Sequence, residues 1–153
     1  MLNKKVIKHI LLIIWCIVIF MFSSETRTNS DSRSRGITDT VVGIYEKVSN
    51  EKIDDDKRIE VVDTLNHIIR KGAHFSIYLV LGILSYSCFL EYDFSTRKTI
   101  VFSITFCILY AISDEVHQLF ISGRGGRLAD VFIDSSGSIT GTFVYYLLKV
   151  LKK

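Results

Sequence analysis

The sequence has no proline, so that residue breaks none of its apolar runs. It has three cysteines, Cys16, Cys88 and Cys107, each inside an apolar stretch. An odd number so placed argues against a disulfide framework and against a clustered thiolate metal site; they read as small apolar fillers. Charge of one sign is also scarce. Nineteen basic residues against 16 acidic ones give a net +3, too little for nucleic acid to be the partner. What the chain does have is apolar mass: 48% of its 153 residues are hydrophobic. The mean hydropathy of +0.32 is too high for a soluble domain with a polar surface. Charged residues at 23% exclude disorder throughout. The length admits one domain, 1–153, in which apolar blocks alternate with charged ones.

A bilayer core about 30 Å thick is crossed by about 20 helical residues at 1.5 Å each. Four blocks approach that length. Val6–Phe22 carries a charge only at Lys8, and Ala73–Leu90 is broken only by His74 and three serines. Ile100–Ile121 is apolar until Ser113, and Val131–Val150 has Asp134 near its start. The expected fold class is all-α: an integral membrane four-helix bundle with spans at about 6–22, 73–90, 100–121 and 131–150. An extracytoplasmic helical loop, 23–72, joins helices 1 and 2. Lys4 and Lys5 before the first block also describe a signal peptide. The block is long for that, however, and Met21-Phe22-Ser23-Ser24 is a poor cleavage site.

Basic residues orient the chain. With the N-terminus inside, segments 1–8, 91–98 and 149–153 hold 8 basic residues in 21, against 11 in 59 for 23–72 and 122–130. Density places both termini in the cytoplasm. Within the outer segment, Ser24–Arg35 is nearly devoid of apolar residues and reads as a mobile loop. Thr38 or Asp39 would cap a short helix carrying Val41, Val42, Ile44, Tyr45 and Val48. A second helix carries Val61, Val62, Leu65, Ile68 and Ile69 on one stripe, packed on the outer mouth of the bundle or, less favoured, lying in the headgroup plane.

The chemistry collects at one membrane face. Asp114, His117 and Gln118 share about 100° of helical arc near the end of the third block, with Glu115 beside them. Asp130, Asp134, Gly137 and Gly141 fall on one stripe of the fourth, the glycines suited to close helix packing. Arg70, His74 and Tyr78 share a face of the second, with Lys71 adjacent. Helix direction brings these ends to one surface, together with Arg124 and Arg127 in the last loop. Ionisable groups at membrane depth cost roughly 2.5–3.5 kcal/mol each at the centre, so they need mutual pairing or a solvated pocket. A histidine beside a carboxylate suits general acid–base work. The arginines suit an anionic headgroup. Ser135 and Ser136 read as packing serines rather than nucleophiles. No cofactor is expected; a divalent ion held by His74, His117, Asp114 and Asp130 is the lesser reading, because the spacing matches no zinc motif.

The run Tyr110-Ala-Ile-Ser-Asp114-Glu115-Val-His117-Gln118-Leu-Phe120-Ile-Ser-Gly123-Arg124, followed by Asp130-Val131, Asp134 and Gly137, resembles the signature of the VanZ-like family. Arg70-Lys71-Gly72-Ala73-His74-Phe75 with Tyr78 resembles that family's other recurring block, and the first helix ending in Phe22-Ser23-Ser24 is also similar. Ser122 stands where the family often has a proline, the Ser23-Ser24 region lacks one too, and Arg127 adds a charge. The resemblance implies a small polytopic protein of the bacterial cell membrane. The family's founding member is associated with low-level resistance to the glycopeptide teicoplanin, which is a phenotype rather than a reaction.

The expectation is therefore a multi-pass membrane protein acting at the outer leaflet on the cell envelope, with a contribution to teicoplanin-type resistance. Whether it is an enzyme stays open. Asp114, Glu115, His117, His74 and Asp130 are the candidate catalytic group. Arg70, Lys71, Gln118, Arg124, Asp134 and Tyr78 are the candidate substrate-binding group. The partners are the lipid bilayer and a lipid-linked or anionic envelope substrate. The alternative is a non-enzymatic scaffold whose polar cluster ties helices together or engages a partner.

Overall fold

The computed structural model describes residues 3–50 and 52–152, without the side chains of 55 and 56. Lys153, counted among the inner basic residues, lies outside the described residues. The chain forms five helices: α1 (Lys4–Ser23), α2 (Arg27–Ser49), α3 (Asp55–Phe89), α4 (Thr96–Gln118) and α5 (Leu128–Leu151). There is no strand among the described residues.

The starts of α1, α2 and α4 follow from side-chain caps. Asn3, Thr26 and Ser95 each accept a backbone N–H from the first turn, as polar N-cap residues do. The α1 helix is apolar all round, and Ile13, Ile14, Ile17 and Met21 stay exposed, a surface that water does not tolerate and lipid does. Its other side joins a core of Ile19, Tyr78, Leu81, Cys107 and Ala111. Two side chains fasten it there: Trp15 Nε1 donates to the Ile77 carbonyl at 3.0 Å, and Tyr110 donates to the Cys16 carbonyl at 2.6 Å.

The outer segment departs from expectation. Ser24–Arg35 is not a mobile loop, for the Thr26 cap starts α2 at Arg27, well before Thr38 or Asp39. The stripe that α2 buries is Ser34, Thr38 and Val42, small and polar enough to escape an apolar-period search. The second expected helix is not separate either. No proline or cap interrupts the chain at Gly72, so α3 runs 35 residues, about 52 Å, with the 73–90 block as its second half. The α2 helix lies antiparallel to the first half of α3. Arg70 pairs with Asp31 at 2.7 Å and Arg35 with Asp63 at 2.5 Å, while Arg58 reaches Glu46 at 3.7 Å.

Small residues weld α3 to α5. A Cβ on Gly137 would meet the Phe75 carbonyl, one on Gly141 the Leu79 carbonyl, and one on Gly82 the Ser138 carbonyl. Backbones this close are the small-residue packing of membrane helices. By length and composition three helices can cross a membrane: α1, α3 within Lys57–Phe89, and α4. The α5 helix is not among them, because Asp130, Asp134, three serines and two threonines dilute it.

Candidate functional site

The α3–α5 seam sets the site. Gly137 holds α5 against Phe75, and Asp134, one turn earlier, is thereby buried completely beside His74 of α3. Nδ1 of His74 lies 3.3 Å from Asp134 Oδ1, within ion-pair range but outside hydrogen-bond orientation. The α4 helix brings Asp114 and Glu115 to the same point. One oxygen from each of Asp114, Glu115 and Asp134 lies within 4.8 Å of the others, and all three residues are buried. Gln118 Nε2 donates to Asp114 Oδ2 at 3.3 Å. Both Asp134 oxygens, Glu115 Oε1 and the Tyr78 hydroxyl are buried without a hydrogen-bond partner among the described residues.

The loop after α4 closes over this group. Gly123 has φ +74, a left-handed conformation that costs glycine nothing. A Cβ on Gly126 would come within 2.7 Å of the Glu115 carbonyl, so only glycine lets the loop lie on the end of α4. That approach seats the Arg127 N–H on Glu115 Oε2 at 2.8 Å.

Two cavities meet here. The larger, about 250 Å³, has apolar walls from Ile19, Phe22, Ile37, Ile69 and Ile77, with His74, Tyr78 and Asp114 among its polar groups. The smaller, about 60 Å³, is lined by Arg27, Lys71, Arg127, His67 and Asp130. Arg70, Gln118 and Arg124 line both. Some of this charge is already matched: Lys71 pairs with Asp130, and Arg70 with Asp31. Arg124 is less well served. Nη2 donates to the Phe22 carbonyl at 3.1 Å, while Nε is buried without a partner. Burial, then Arg70 beside it, lowers the affinity of the Arg124 guanidinium for its proton.

A family model described as VanZ/LLP1 matches residues 9–149. The chain belongs to the VanZ/LLP1 family. With three helices long and apolar enough to cross a bilayer, it is a membrane protein. Comparison with curated proteins and with solved structures finds no match.

Of the residues singled out in the sequence of this VanZ/LLP1 protein, His74, Tyr78, Asp114, Glu115, Gln118 and Asp134 converge at the helix junction. Arg70, Lys71, Arg124 and Asp130 surround the neighbouring basic cavity. His117 stands apart: its ring packs on Phe20 of α1 at 4.5 Å, and Nδ1 has no partner among the described residues. The set His74, His117, Asp114 and Asp130 is therefore not assembled as one ligand group. Asp31, Arg27, Arg33 and His67 were missed. They lie in the segment expected to be loop or on the far half of α3, and the one available signal was Thr26 as a cap ahead of Asn29.

Proposed function

We propose that α1, α3, α4 and α5 all cross the bacterial membrane and that their junction binds an anionic amphiphile of the cell envelope at the outer leaflet. The observation that carries this reading is the sharing of Arg70, Gln118 and Arg124 by an apolar cavity and a basic one. An acyl or isoprenoid chain suits the walls of Ile37, Ile69 and Ile77. A phosphate suits Arg124, Arg127 and Arg27, since guanidinium groups contact it bidentately and Arg124 Nε lacks a partner. The α5 helix exposes Phe132, Leu147 and Leu148, which supports lipid around it. Lys4, Lys5, Lys8, Arg97, Lys98 and Lys149 lie at the helix ends opposite the site, and the rule of inner positive charge then turns the site outward.

The reading is one of binding. Any reaction there would draw its acid–base groups from His74, Asp114, Glu115 and Asp130, since His117 packs on Phe20. The scaffold alternative is favoured by the pairing of Arg70 with Asp31 and Lys71 with Asp130, which ties three helices together.

Thermal unfolding of the protein in neutral detergent, titrated with a long-chain alkyl phosphate and with the matching alcohol, separates the two readings. A saturable shift with the phosphate alone, weakened at least about tenfold by Arg124→Gln, is expected from loss of a charged contact of about 1.5–3 kcal/mol. Equal shifts with both lipids, or no effect of Arg124→Gln, would leave only the scaffold. Expression in a susceptible host should raise teicoplanin tolerance for the wild type and not for Arg124→Gln.

A further inference from the structure

Three carboxylates within one small volume are an unusual arrangement inside a membrane protein. Asp114, Glu115 and Asp134 come from α4 and α5, at most 5% exposed, and each pair of them offers oxygens within 4.8 Å. Coulomb repulsion at such distances is severe where water is excluded. The positive groups nearby are largely committed, Lys71 to Asp130 and Arg70 to Asp31. The backbone N–H of Arg127 serves a single oxygen of Glu115. Both oxygens of Asp134 and one of Glu115 are left with no hydrogen bond among the described residues.

A second, independent feature points into the same space. Tyr78, on α3, is 1% exposed and lines the larger cavity with His74 and Asp114, and its hydroxyl has no hydrogen-bond partner among the described residues. One turn earlier on α3, His74 presents Nδ1 to Asp134 at 3.3 Å. Three helices thus bring three carboxylates, an imidazole and a phenol together, and four of their atoms have no hydrogen-bond partner among the described residues.

We propose that this point is a divalent cation site with Asp114, Glu115 and Asp134 as its protein ligands and His74, 3.3 Å from Asp134 Oδ1, as the outer partner of that carboxylate. An ion with bonds of about 2.0–2.4 Å requires ligand oxygens no more than roughly 4–5 Å apart, which the triad meets. Its two positive charges cancel two of the three carboxylates, and the Arg127 N–H already sits on the third residue of the set, Glu115. Three carboxylate oxygens no more than 4.8 Å apart suit Mg²⁺ or Mn²⁺, whose bonds are shorter than the roughly 2.3–2.6 Å of Ca²⁺, rather than the thiolate-bound ions. The site borders the larger cavity through His74, Tyr78 and Asp114 but does not rest on amphiphile binding there.

The test is titration of detergent-solubilised, chelator-stripped protein with Mn²⁺, Zn²⁺, Mg²⁺ and Ca²⁺, read by calorimetry and by metal content after gel filtration, with no phospholipid added. One Mn²⁺ per chain is expected, bound more tightly than Ca²⁺ and accompanied by a rise in unfolding temperature. Asp134→Asn should weaken it at least tenfold, and the exposed Asp93→Asn should not. If Asp134→Asn does not fold, Glu115→Gln and Asp114→Asn carry the same expectation. Absence of stoichiometric binding of all four ions by the wild type overturns the proposal. So does unchanged affinity in every carboxylate variant that folds. Because lipid is absent, a negative result here leaves the amphiphile reading intact, and a failed lipid titration leaves this one intact.

Discussion

Lys8 of α1 donates to Glu91 in the turn after α3, at the end of the molecule away from the carboxylates. That contact, ahead of every other influence, holds the Glu91 carboxyl below the usual carboxylate range. A carboxyl lowered by folding contributes stability above its unfolded value, about 4.3, and loses it as pH falls through the folded value. The unfolding temperatures of the wild type and Glu91→Gln should therefore differ slightly near pH 6–7 and converge below about pH 4. A gap that stays constant down to pH 3 would contradict the ion pair. Buried hydrogen bonds matter more at this scale. Tyr110→Phe removes the 2.6 Å donation to the Cys16 carbonyl, and Tyr110 sits where α1 meets α4. A loss of about 0.6–1.5 kcal/mol in reversible unfolding is expected. No loss would mean that this hydrogen bond does not help to hold α1.

Between elements, the α3–α5 seam governs where the site residues land. At Gly141 a methyl group would strike the Leu79 carbonyl, so Gly141→Ala must separate the two helices. It should cost about 1–3 kcal/mol, the range for overpacking. Gly43 on α2 has open space around its Cα, and Gly43→Ala should stabilise by about 0.5–1 kcal/mol through helix preference alone. Equal effects from the two would remove the seam from its organising role. This seam was legible in the sequence, since Asp134, Gly137 and Gly141 recur at three- and four-residue steps on one face. The α2 helix was not. Its buried stripe is Ser34, Thr38 and Val42, and Arg27–Arg35 is held by ion pairs such as Arg27 to Asp31, Arg33 to Glu25 and Arg70 to Asp31. Hydropathy carries no trace of partners drawn from distant segments. The continuity of α3 was hidden for a related reason: a polar half and an apolar half read as two elements although nothing between them ends a helix. His117 shows the limit of face arithmetic, for it shares an arc with Asp114 on paper and packs on α1 in the structure.

At the scale of the whole molecule, the cationic helix ends lie away from the carboxylates, and the proposal turns the carboxylates outward. With Cys16, Cys88 and Cys107 replaced, single cysteines at Ser122 and at Asp93 should react with impermeant reagents from opposite sides of the membrane, Ser122 from outside. Labelling of both from one side would remove α4 as a crossing helix. The most direct test of the central claim is photocrosslinking. A diazirine-bearing long-chain alkyl phosphate is incubated with the protein in bilayers, irradiated, and the labelled residues are mapped by mass spectrometry. Label concentrated on Ile37, Ile69, Ala73 and Ile77, competed by unlabelled alkyl phosphate and reduced in Arg124→Gln, is the expected result. Label spread over the lipid-facing Ile13, Ile14 and Leu109, with no enrichment in the cavity, would contradict it.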